Sequence, residues 1–109
     1  MRKPRTLLDK LWDSHEILQR EDGVSLLWVD RHFVHEGSHH AFSKIDQKDI
    51  KVKEPRLTFG VVDHYAPTNR ISIIVDPSVS RMMQTLRDNS QKYGFEIFDL
   101  DNQNQGIVH

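Results

Sequence analysis

LTFGVVDHYAPTN, residues 57 to 69, is an apolar run rich in β-branched and aromatic side chains that ends abruptly on an acid and an imidazole. Such a run favours extended chain. A buried strand has little use for Asp63 and His64 unless the two are paired. Either the strand surfaces there, or chemistry takes place there. Pro67 then fixes the chain direction, and Thr68-Asn69-Arg70 reads as a surface loop.

Working outward, Asp76-Pro77-Ser78 introduces a helix with Ser80 as its N-cap, Met82, Met83, Leu86 and Tyr93 as its inward stripe, and Gly94 as its terminator. FEIFDLD, residues 95 to 101, is a further strand with partial alternation. Upstream, Pro55 in KVKEPR pushes Glu54 out of the helical region, and a short helix is expected from Ala41 to Asp49. VSLLWVDRHFVHE, residues 24 to 36, reads as one buried strand leading towards Arg31 and His35. Thr6 and Asp9 form a weakened capping box for a first helix whose Leu7, Leu8, Leu11, Trp12 and His15 share one face. Helices alternating with strands imply a layered α/β architecture, a mostly parallel sheet flanked by helices, read as one segment over residues 1–109. In such sheets, polar residues at the carboxyl ends of strands meet in one crevice. His35 with Glu36, Asp63 with His64, and His109 are expected to converge there.

Composition narrows the function classes. Fifteen basic side chains face sixteen acidic ones, for a net charge of −1, so there is no electrostatic case for nucleic acid or an anionic membrane surface as partner. No window approaches the roughly 18 apolar residues of a membrane span, and the charged start lacks a signal-peptide core; a soluble cytoplasmic protein is expected. The absence of cysteine removes disulfides, cysteine nucleophiles and thiolate metal ligands from this chain.

Seven histidines carry the remaining chemistry. His15, on a helix face, suits packing or hydrogen bonding, and Ser14 beside it lies mid-helix without a nucleophile elbow. His35, His39 and His40 make a poor zinc set because no orienting carboxylate is evident. Asp63-His64 stands apart. A carboxylate beside an imidazole fixes the ring's orientation and favours its charged form, as a general acid requires, although a structural strand-end pair has the same sequence.

Four blocks, TLLDKLWDSH, LLWVDRHFVHE, LTFGVVDHYAPT and SRMMQTLRDNSQKYGFEIFDLDNQNQGIVH, together resemble the start of the large subunit of the isopropylmalate dehydratases, in the aconitase family. The resemblance runs in order from Thr6 to His109. It implies reversible dehydration and rehydration exchanging 2-isopropylmalate and 3-isopropylmalate in leucine biosynthesis, on a [4Fe–4S] cluster. It implies that His64, paired with Asp63, serves the departing hydroxyl, that His109 is a second active-site imidazole, and that His35 contacts substrate; Arg31, a cation suited to a carboxylate, is a further candidate for substrate binding. The cluster cysteines, a GDSHT-type motif and the small-subunit serine of that family are not in this chain. No cofactor is therefore expected in it alone, and the implied partners are the remainder of the large subunit, the small subunit and a small 2-hydroxy dicarboxylic acid.

Two departures accompany the match. HEGSHHAF, residues 35 to 42, is one residue shorter than the family's usual stretch, and Tyr65 stands where Asn is common. Two further readings stay open: a related hydro-lyase acting on another 2-hydroxy acid, and a non-catalytic binding or subunit-interaction module holding a dicarboxylate through Arg31, His64 and Arg70.

Overall fold

Thr6 begins the first element with a reciprocal cap: its Oγ1 accepts from the Asp9 backbone N–H at 3.1 Å, and the Asp9 carboxylate accepts from the Thr6 N–H at 2.8 Å. In the computed structural model, which describes residues 3–69 and 76–108, this box opens α1, Leu7–His15. The chain divides into two compact units, Met1–Asp30 and Arg31–His109.

In the first unit, α1 runs into an antiparallel hairpin of β1, Glu16–Gln19, and β2, Ser25–Leu27, turned at Gly23 with φ of 84°. The sequence reading missed β1 and took residues 24–36 as one buried strand. The structure corrects this: β2 stops at Leu27, and a separate strand, β3, His32–Val34, belongs to a different sheet. The reason is Asp30. Its exposed carboxylate pairs with the His15 ring, Oδ2 to Nε2 at 2.5 Å, while the Trp28 N–H donates to the His15 carbonyl at 2.7 Å, which ties this stretch back to the end of α1. The hydrogen bond that His15 donates to Asp30 raises the His15 pKa above its ordinary value. No residue of α1 is buried.

The second unit is two successive β-α-β steps: β3, α2 (His39–Gln47), β4 (Thr58–Val61), α3 (Pro77–Tyr93) and β5 (Glu96–Phe98). The strands form one parallel sheet in the order β3-β4-β5, with Val34 opposite Gly60 and Val61 opposite Phe98. Phe42 of α2 and Met83 and Leu86 of α3 meet Val34, Val62 and Phe95 in a single core. Alternation puts the aromatic residues on the other face, where the Phe33, Phe59 and Phe98 rings line up at 5.7 and 6.0 Å. A Cβ on Gly60 would stand 3.0 Å from the Phe95 ring, so glycine is what lets that ring close on the sheet.

The α3 stripe is confirmed in Met83 and Leu86, both buried, and Gly94 ends the helix in the left-handed region at φ 75°. Its cap is not Ser80. Asp76 occupies that position, its Oδ1 accepting from the Ser78 N–H at 2.8 Å, because Pro77 is suited to the first helical residue and Ser80 already lies in the first turn, donating to the Asp76 carbonyl. Arg70 lies outside the described residues. Among those described, no helix is long and apolar enough to cross a membrane.

Two outcomes follow from this packing. Met83, 0 % exposed, leaves a cavity when cut back, so Met83→Ala lowers unfolding free energy by about 2–5 kcal/mol, read by urea titration. The Arg87 guanidinium, gripping Asp99 from α3, holds that carboxyl below its ordinary range. The pair's stabilisation is present above the unfolded carboxyl's pKa near ~3.9 and is lost as pH falls through the lower folded value. Urea midpoints of the native chain and Asp99→Asn therefore differ at neutral pH and converge in strong acid.

Candidate active site

Parallel neighbours end on the same side, so the residues that follow β3 and β4 lie together. His35 and Glu36 leave β3; Val62, Asp63 and His64 leave β4. The two imidazoles stack, ring centroids 3.7 Å apart and planes within 6°. Both remain about a third exposed, 38 % for His35 and 34 % for His64, over two buried carboxylates.

Asp63, 5 % exposed, divides its oxygens: Oδ1 accepts from His64 Nδ1 at 2.9 Å and Oδ2 from the Val108 N–H at 3.2 Å. Because an ionised carboxylate only accepts, His64 carries a proton on Nδ1, which leaves Nε2 as the position where neutral His64 accepts and charged His64 donates. His35 has the opposite arrangement. Its Nδ1 accepts from the Gly37 N–H at 3.1 Å, so its ring proton sits on Nε2. The stack thus pairs a fixed donor with a ring that can give or take a proton. Glu36 lies beneath, Oε2 accepting from the His64 N–H at 3.3 Å and Oε1 from the Tyr65 N–H at 3.4 Å.

Of the residues expected to converge, His35, Glu36, Asp63 and His64 do so. His109 lies outside the described residues, although its neighbour Val108 reaches Asp63. Arg31 precedes β3 while His35 follows it, an extended separation of about 13 Å, so the structure places Arg31 at the opposite end of the strand from the imidazoles. Sequence reading placed Glu36 in the crevice beside His35 but gave it no task of its own. The signal was there, an acid directly after an apolar strand, the same pattern that singled out Asp63.

Among the described residues, metal-ligand spacing occurs at His35, Glu36 and His64, whose donor atoms lie within 4.8 Å of one another, and not at His35, His39 and His40. The tautomers work against coordination there: His35 Nδ1 is engaged by Gly37, and its Nε2 carries the proton. With no cysteine in the sequence, the residues present do not fit an iron–sulfur cluster.

A strand-end carboxylate–imidazole pair on a parallel α/β sheet has the geometry that acid–base chemistry uses. The aconitase family (aconitate hydratase) matches residues 9–109, and the chain belongs to that family. It is similar to the 3-isopropylmalate dehydratase large subunit of Thermus thermophilus, 39 % identical over 107 residues, and to that of Flavobacterium johnsoniae, 40 % identical over 107 residues. The Bacillus cereus large subunit of the same name is 39 % identical over 106 residues. Each alignment covers 96 % of this chain and 23 % of the relative, so the chain spans about a quarter of the length of the curated relatives it matches. No solved structure matches.

Gly37 allows the His35 ring to lie against the backbone. A Cβ there would stand 2.8 Å from His35 Cε1, and the ring is the part able to move. In Gly37→Ala the stack is expected to open, with loss of the mutual ring-current shifts of His35 and His64 in proton NMR. The thermal midpoint falls less than in Met83→Ala.

Proposed function

We propose that this chain forms the amino-terminal part of a 3-isopropylmalate dehydratase large subunit, the enzyme that exchanges 2-isopropylmalate and 3-isopropylmalate by removing and restoring water. The observation that carries the reading is the buried Asp63 fixing the tautomer of a part-exposed His64 beside a second imidazole. Charged His64 gives its Nε2 proton to the departing hydroxyl, and in the return direction neutral Nε2 takes a proton from the adding water. Asp63 keeps the ring oriented in both charge states. His35 presents its Nε2–H to a substrate oxygen, a carboxylate by preference, since a charged acceptor strengthens the bond. His109 is proposed as a second imidazole of the same site, by resemblance.

Members of the aconitase family generally use a [4Fe–4S] cluster, and its thiolates have to come from outside this chain. The proposed partners are accordingly the remainder of the large subunit and the small subunit, in the cytoplasm, with a small 2-hydroxy dicarboxylic acid as substrate. Tyr65, 48 % exposed with its ring 6.5 Å from that of His64, favours a second reading in which the acid differs in its acyl chain.

The test supplies this chain in trans to a relative's large subunit lacking the equivalent segment, together with its small subunit and reconstituted cluster. Turnover of isopropylmalate is expected only in the full mixture, and His64→Asn lowers kcat by about 10²–10⁴-fold. Turnover by the 109-residue chain alone, or an unchanged rate in His64→Asn, overturns the proposal.

A further inference from the structure

Glu36 has no part in the proton transfer just described, and yet its side chain is 0 % exposed. Removing a carboxylate from water costs several kcal/mol unless hydrogen bonds replace the lost hydration. The replacements are specific: the N–H groups of His64 and Tyr65, 28 and 29 residues further along the chain. Beside them, His35 Nδ1 lies 4.0 Å from Oε2. One acid from the end of β3 therefore grips two consecutive backbone donors at the end of β4.

The consequence falls on the imidazole. Asp63 can hold His64 Nδ1–H only if the backbone presents the ring to it, and the peptide N–H groups that set this presentation are the two that Glu36 binds. His35 is held differently, by Gly37 and by Ser38, whose Oγ accepts from the His35 N–H at 3.1 Å. We propose that Glu36 is a positioning residue: its buried carboxylate anchors the backbone of His64 and Tyr65 so that the His64 ring stays on Asp63 in its Nδ1–H form, stacked on His35. The functional meaning rests on the reading of His64 as the proton donor, whereas the positioning itself is a property of this chain.

Long-range proton–nitrogen NMR of the imidazoles, recorded on the 109-residue chain above the titration of its histidines, separates the two. The native chain is expected to show His64 as Nδ1–H and His35 as Nε2–H. Glu36→Gln keeps the shape but turns a donor towards one of the two N–H groups. It is expected to abolish the Nδ1–H signature of His64 while His35 keeps its own. Glu36→Asp, one methylene too short to reach, is expected to do the same and serves if the glutamine variant does not fold. Dispersed amide spectra with the His64 tautomer unchanged in both variants overturn the proposal, because Glu36 would then act on stability alone. Loss of amide dispersion in both does so too. Stoichiometric zinc binding that shifts His35 and His64 together, and is lost in Glu36→Gln, would make Glu36 a metal ligand and also overturn it. None of these readouts depends on turnover, so failure here and failure of the dehydratase reading are distinguishable.

Discussion

Parallel pairing of β3 with β4 is the constraint on which the site depends. Two strands that run the same way deliver their following residues to one edge, and the register that sets Val34 opposite Gly60 brings His35 and Glu36 beside Asp63 and His64. Antiparallel pairing would send these pairs to opposite edges. The pairing in turn needs a crossover long enough to return the chain, which α2 provides, as α3 does between β4 and β5, and a small residue at position 60, where the Phe95 ring closes over the sheet. Core packing and site geometry therefore share a cause.

The two buried carboxylates have different tasks although they lie side by side. Asp63 acts through a ring nitrogen, and Glu36 acts through peptide groups. Backbone N–H groups hydrogen-bond to both, and an imidazole N–H to Asp63 as well. Such environments keep a site compact, because a peptide donor fixed by the fold needs no side-chain ordering to reach its acceptor.

How much of this was legible in the sequence depended on range. Local rules placed α1 and the end of α3 well, since the capping pair Thr6 and Asp9 and the terminator Gly94 act within a turn or two. The α3 start was misread because Ser80 is a good cap in isolation, and only Pro77 makes Asp76 better. Residues 24–36 failed for a different reason. Their composition is strand-like throughout, and the break comes from Asp30 reaching back to His15, a contact that no window of neighbours contains. At the site, Asp63 and His64 stood out because the acid and the imidazole are adjacent. Arg31 was drawn in by its charge, a cation suited to a carboxylate, and it lies just before β3 while His35 follows that strand. Glu36 gained its meaning only through donors 28 and 29 residues away.

The last residues described feed back on the imidazole. Asp63 gives one oxygen to His64 and the other to Val108, and Gln105 donates from Nε2 to the Val62 carbonyl at 2.7 Å. The segment after β5 is thereby linked to the proton-carrying ring through a single carboxyl group. Whatever displaces Val108 changes the hydration of Asp63, and through it the hold on His64. Linkage makes this reciprocal: a molecule that binds better when His64 is held also binds better when residues 105–108 are docked, and it tightens that segment by the same factor. The stretch QGIV then acts as a tensioner on the Asp63 carboxyl, and its docking sets how firmly the His64 ring is held.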